Sequence, residues 1–289
     1  MARLPFVDTH VHYIDLKDPV LHYAWLQPDW VHPLLGDIDG LKVLKYTAEH
    51  YIAETRFQNV TKCVHVQAAL GIADPVDETR WLQDQADRTG FPHGIVAHCD
   101  LAGDAVEETL ERHLEYANMR GIRDFGQGDY LVDEGWQQGF GRLAKYGLVF
   151  CLDLVPENLP KIRALADKYP DVVLCIDHAG FPRQRDHDYF EMWRRGMKLA
   201  AGAPNTVVKI SGLGMCDNRW TVDSFRPWVE GCIEAFGVTR SFFGTNWPVD
   251  RLYSSYGDVV DAYAEIISGC SEAEQEALFF GNAERVFRI

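Results

Sequence analysis

The sequence predicts a parallel α/β fold and, within that class, a (β/α)8 TIM barrel forming a single domain over residues 1–289. Three observations carry this. Eight short apolar runs alternate with helical stretches, the rhythm of repeated strand–helix units. No glycine-rich phosphate loop follows the first run, which argues against a doubly wound nucleotide-binding sheet. The polar residues suited to chemistry fall at the ends of the runs, where a parallel barrel gathers its side chains.

Taken in order, the first run is Phe6-Val7-Asp8-Thr9-His10-Val11-His12. Side chains two apart in a strand share a face, so His10 and His12 project together from its C-terminal end. An insertion rich in Pro, Trp and Tyr follows over residues 15–39, with Tyr23, Trp25 and Trp30 as rigid apolar surface for a lid or pocket wall. Thr47 then starts a helix reaching about residue 58. The second run covers 60–67. Asp74-Pro75-Val76-Asp77 reads as an N-cap with proline in the first turn, opening a helix that Gly90 closes. Strands at 94–99, 121–125 and 148–154 are separated by helices at about 105–117 and 135–146, and Pro156 opens another helix. The last three strands are expected at 172–178, 206–211 and 240–246. Ser271-Glu272-Ala273-Glu274 is a capping box for an extra C-terminal helix.

Composition narrows the functional classes. A formal net charge of −15 would repel a phosphate backbone, so no nucleic-acid partner is expected. An anionic small-molecule substrate would have to be held by local arginine or lysine. No apolar run approaches the roughly 20 residues that span a bilayer, and no charged segment followed by an apolar core marks the N-terminus for export. The seven cysteines are scattered, with no C-x-x-C pair, which points to reduced thiols and a cytoplasmic location. A homo-oligomer is compatible with all of this.

If the strand ends share one mouth, His178, at the end of the sixth run, joins His10 and His12. Period-two alternation sets His178 on the face of Leu174 and Ile176, with Asp177 opposite. Neutral imidazoles that converge suit a divalent metal or a developing oxyanion. Arg123 can hold a carboxylate in bidentate fashion, or else pair with Asp124 or Asp153. Lys209 interrupts an otherwise apolar strand and ranks as a second substrate anchor. Gln67, His98 and Asp153 end strands two, three and five as rim residues.

Three motifs in order, Asp8-Thr9-His10-Val11-His12, Asp177-His178-Ala179-Gly180 and Gly244-Thr245-Asn246-Trp247-Pro248, resemble the amidohydrolase superfamily. More narrowly they resemble its lactonase-type branch, which includes pyrone dicarboxylate lactonase and sugar lactonases. The resemblance runs from Asp8 to about Tyr256. It implies a divalent ion of the zinc type on His10, His12 and His178, although some lactonases of the branch work without a metal. It also implies Arg123 on the substrate carboxylate. Trp25, from the aromatic insertion, and Trp247 are expected as further substrate contacts. Many members carry aspartate as general base where this chain has Asn246, and an amide cannot take a proton from water. Asn246 is then left to orient the water, and Asp250, four residues on, becomes the proton acceptor. The expected reaction is hydrolysis of a lactone ring, of a sugar acid or a carboxylated ring-cleavage product. Metal-dependent decarboxylation of a carboxylated aromatic and a non-catalytic ligand-binding barrel are the alternatives.

Overall fold

The computed structural model describes residues 4–33, 35–43 and 45–289. Eight parallel strands form one sheet whose order follows the chain: β1 (Phe6–Val11), β2 (Val60–Val66), β3 (Gly94–His98), β4 (Met119–Arg123), β5 (Val149–Leu152), β6 (Leu174–Ile176), β7 (Thr206–Ile210) and β8 (Ser241–Phe243). The two ends of the sheet meet where β8 runs out. The His12 N–H donates to the Trp247 carbonyl (2.8 Å), the Trp247 N–H to the His10 carbonyl (3.3 Å), and the Thr9 hydroxyl to the Phe243 carbonyl (2.7 Å). The (β/α)8 barrel expected from the sequence is the fold.

Eight helices separate and follow the strands: α1 (Ala48–Thr55), α2 (Val76–Thr89), α3 (Val106–His113), α4 (Glu134–Tyr146), α5 (Leu159–Lys168), α6 (His187–Ala201), α7 (Val222–Phe236) and α8 (Tyr256–Ile266). Their ends follow the local signals. Asp74 Oδ1 accepts from the Val76 N–H (3.1 Å) at the start of α2, and Gly90 closes that helix at φ +83°, where a side chain would be strained. Ser271 and Glu274 form their reciprocal cap on α9 (Glu272–Glu276), but the chain passes through one wider turn before α10 (Asn282–Phe287).

Strand ends differ from the sequence expectation. β6 stops at Ile176 rather than 178, and β8 at Phe243 rather than 246. Apolar patterning overruns both ladders because the residues beyond them are buried as well: Ala179 and Trp247 are fully enclosed. The insertion after β1 is closed at its base by a two-residue antiparallel ribbon, Ile14–Asp15 with Lys45–Tyr46.

The core has two layers. Val7, Val64, Val66, Val96, Val149, Cys151, Cys175, Val207 and Phe242 fill the barrel interior together with Ala283, Val286 and Phe287 of α10. That helix covers the end where strands begin, since a Cβ on Gly94, the first residue of β3, would touch Ile289. The other faces of the strands pack against the helices. With one end stoppered, the opposite mouth is left for a site. No helix among the described residues is long and apolar enough to cross a membrane.

Candidate active site

A cavity of about 430 Å³ opens at the C-terminal ends of the strands, walled by the loops that follow them and by the insertion after β1. His12, Gln67, Arg123, His178 and Asn246 are its polar members from the barrel.

The three imidazoles meet. His10 lies between the other two, its ring centroid 4.9 Å from that of His12 and 4.4 Å from that of His178. In β1 the register slips between Asp8 and Val11 against β2, so one extra residue bulges the strand beside the histidines. His12 Nδ1 lies 2.8 Å from the Val66 carbonyl. A carbonyl only accepts, so Nδ1 carries the proton and Nε2 keeps a bare lone pair. Both ring nitrogens of His10 are buried without a hydrogen-bond partner.

His178 arrives by a route that alternation does not describe. Leu174 and Ile176 belong to the outer core layer, and Cys175 points inward. Continuing that phase sends Asp177 inward, and His178 would face the helices. Instead His178, Ala179, Gly180 and Phe181 all take positive φ, between +52° and +69°. A left-handed turn of this kind costs roughly 1–2 kcal/mol for each non-glycine residue. The Trp193 indole N–H donates to the Ala179 carbonyl (2.7 Å), and the Phe181 N–H to that of His178 (2.8 Å). The turn swings the His178 ring into the cavity, where Nδ1 lies 3.0 Å from Ser211 Oγ.

Burial pushes all three histidines below the usual imidazole range. The neighbouring His178 and Lys209 add to this at His10, and Arg123 adds to it at His12. At His178 the Asp153 and Asp177 carboxylates oppose the effect of burial without cancelling it. The rings are neutral ligands or acceptors at ordinary pH.

Lys209 is corrected from its expected role. Fully buried and absent from the cavity wall, it ion-pairs with Asp177 at 2.9 Å and lies 3.7 Å from Cys151 Sγ. Burial works against its charge, but Asp177 and the two thiols prevail and hold the ammonium above its usual range. Asp177 in turn approaches His10 Nδ1 at 3.7 Å. The pair is a buried pedestal under the histidines rather than a substrate anchor.

Trp247 is corrected likewise. Its side chain is fully enclosed, packed edge-on against Tyr256 at 5.3 Å, and it does not line the cavity. Trp25 does line it, as do Arg123 and Asn246. Arg123 pairs with neither Asp124 nor Asp153. Its Nε donates to Gln67 Oε1 (3.3 Å) and its Nη2 to the Gln67 carbonyl, with the guanidinium over the Phe125 ring. Asn246 sits at φ +60°, a left-handed position that asparagine tolerates better than most residues.

Asp250 lies behind Asn246 rather than on the wall. It is 3% exposed, neither oxygen has a hydrogen-bond partner, and a Cβ on Gly214 would stand 2.6 Å from Oδ1. Burial pushes its carboxyl up to about 8, with the Asn246 side chain opposing. Asp153 does stand on the wall. Sequence reasoning passed over Ser211, although it follows Lys209 by two residues and therefore shares its inward face.

The donor set fits a zinc-type ion in its chemistry: three neutral imidazoles, one with its tautomer set by a backbone carbonyl, and one with both nitrogens orphaned. Among the described residues the trio whose ligand atoms lie within 4.8 Å of one another is a different one, Cys151, Cys175 and Asp177. The Lys209 ammonium already supplies the cation there.

Comparison with known proteins gives the family and the fold. A family model described as amidohydrolase matches residues 7–289. The uncharacterized protein y4mH of Sinorhizobium fredii is 39% identical, over the full length of both chains. An L-fucono-1,5-lactonase of Burkholderia ambifaria is 29% identical over 74% of this chain and 76% of its own. Among solved structures, a Burkholderia multivorans amidohydrolase with bound zinc superposes with a TM-score of 0.84 at 24% identity, covering 99% of each chain.

Proposed function

The chain belongs to the amidohydrolase family, and on that footing we propose that it is a hydrolase opening the lactone ring of a carboxylated or sugar-acid substrate. The observation that carries the reading is the His12 tautomer. With Nδ1–H committed to Val66, Nε2 has no proton to offer an oxyanion but has a lone pair to offer a cation. This favours a metal-assisted scheme over one in which all three histidines act as hydrogen-bond donors. The zinc in the Burkholderia multivorans structure is in keeping with that preference.

His10, His12 and His178 would hold the ion. When bound, it supplies Lewis-acid polarisation of the ester carbonyl and makes water easier to deprotonate. Arg123, with Nη1 left over from its bonds to Gln67, orients the substrate through a carboxylate. Asn246 positions the attacking water from the cavity wall, and Asp250 behind it accepts the proton. A carboxyl raised to about 8 is a stronger base than an ordinary aspartate once ionised. Asp153 is the competing acceptor, since it already lines the cavity.

A pH-indicator assay across a panel of γ- and δ-lactones tests the reaction. Ring opening that Asp250→Asn abolishes supports the scheme. Release of carbon dioxide from a carboxylated aromatic, with every lactone left intact, replaces the hydrolase by a decarboxylase. Tight binding of small acids with neither reaction leaves a ligand-binding barrel.

A further inference from the structure

The polar groups of the cavity are largely spoken for. The Gln67 amide donates to the Ala69 carbonyl (2.6 Å), and its oxygen takes Arg123 Nε. His12 and His178 each have one nitrogen engaged, by Val66 and Ser211. Arg123 Nη1, one nitrogen on each of those two rings and the Asn246 amide remain. That inventory serves one carboxylate and one ester carbonyl. A polyhydroxylated ring brings several more hydroxyls, and each needs a partner. Five further polar side chains, His32, Tyr130, Asp153, Asn158 and Arg183, join the wall.

The rest of the wall is apolar and comes from separate loops: Trp25 and Leu35 from the insertion, Leu70 after β2, Phe125 after β4, Phe181 after β6 and Met215 after β7. The Trp25 indole N–H is consumed by the Ala68 carbonyl (2.8 Å), so the ring offers only its hydrocarbon surface. Phe125 stays 38% exposed beside the cavity, with the Arg123 guanidinium over its ring. Hydroxyls set against such a wall would lose water and gain no partner, whereas an alkyl or aryl group would gain by leaving water.

We infer that the substrate is amphipathic: an anionic lactone bearing an alkyl or aryl substituent, rather than a polyhydroxylated sugar lactone. The lactone part of this rests on the proposed hydrolase function. The apolar flank rests on the cavity wall alone.

Calorimetry on the purified, metal-replete protein tests it with two ring-opened dicarboxylates whose lactones keep one carboxylate, 2-(α-hydroxybenzyl)succinate and glucarate. The aryl acid is expected to bind at least thirtyfold more tightly. Phe125→Ala should weaken the aryl acid about tenfold more than it weakens glucarate. Equal affinities, a preference for glucarate or no detectable binding of the aryl acid overturns the inference. Turnover of the matching lactones is measured separately. A sugar lactone hydrolysed as fast as the aryl lactone overturns the inference and keeps the hydrolase. No hydrolysis of either, with the binding preference intact, removes the hydrolase and upholds the apolar flank.

Discussion

Asp8 and Thr245 lie 237 residues apart and are joined by two hydrogen bonds, the Thr245 N–H to Asp8 Oδ1 at 2.8 Å and its hydroxyl to Oδ2 at 2.6 Å. Tyr51 and Tyr256 add their hydroxyls to Oδ2 at 3.0 and 2.9 Å. The first motif thus grips the last through a buried residue that does not line the cavity. Burial raises the Asp8 carboxyl, and these hydrogen bonds offset part of that rise. Asp8→Ala takes the shared acceptor from five buried donors, these four and the His10 N–H. It should destabilise the fold by on the order of 3–5 kcal/mol, read as a lower urea midpoint at constant slope. Asp8→Asn, which keeps one acceptor oxygen, should lose less.

Gly212 decides whether the His178 ring fits. It sits at φ +61°, and a Cβ there would overlap His178 Nδ1. Gly212→Ala should cost about 1–3 kcal/mol from backbone strain and overpacking. Its effect on kcat should be tenfold or more, because the ring is displaced from His10. A Gly212→Ala protein with unchanged kcat would remove His178 from the reaction.

The Lys209–Asp177 pair is fully buried, so breaking one side strands a charge. Lys209→Met alone should lose about 3–5 kcal/mol, whereas Lys209→Met combined with Asp177→Leu should recover much of it. Thermal unfolding of the two singles and the double gives the coupling directly.

Asp250 links stability to pH. Its folded carboxyl titrates at about 8, above the ordinary value of 3.8. Between those values the folded chain holds a proton that the unfolded chain has released, so this residue makes stability fall as pH rises through the window. Asp250→Asn should flatten that dependence and raise the melting temperature at pH 8. If Asp250 is the proton acceptor, the same variant should lose at least a hundredfold in kcat, and the wild-type rate should climb with pH to a plateau above about 8. Asp153→Asn separates the two carboxylates, since it removes the wall residue without touching the buried one.

Metal content is a further check. Protein purified without chelator should carry about one zinc-type ion per chain by elemental analysis. His12→Ala should lose it, while Asp250→Asn keeps it.

The repeat of apolar runs and helical stretches determines the barrel, because each strand–helix unit has a face that only a parallel sheet can bury. Residue types at the strand ends likewise pointed to His12, His178, Arg123 and Asn246 as members of one mouth, with His10 buried against the first two, since a parallel barrel directs every strand's C-terminus the same way. What local sequence could not reveal is how each side chain reaches or misses that mouth. Lys209 has the inward phase of a site residue yet stops one layer below it, where Asp177 neutralises it in the barrel interior. Trp247 carries the composition of a binding residue, but its backbone closes the barrel and its ring is sealed against Tyr256. Strand alternation pointed His178 outward, and only a left-handed turn held by Trp193 brings its ring to His10. Periodicity is a property of neighbours along the chain, and it sets fold and face. Depth, tautomer and charge pairing depend on groups far away in sequence, so the packed structure alone decides them.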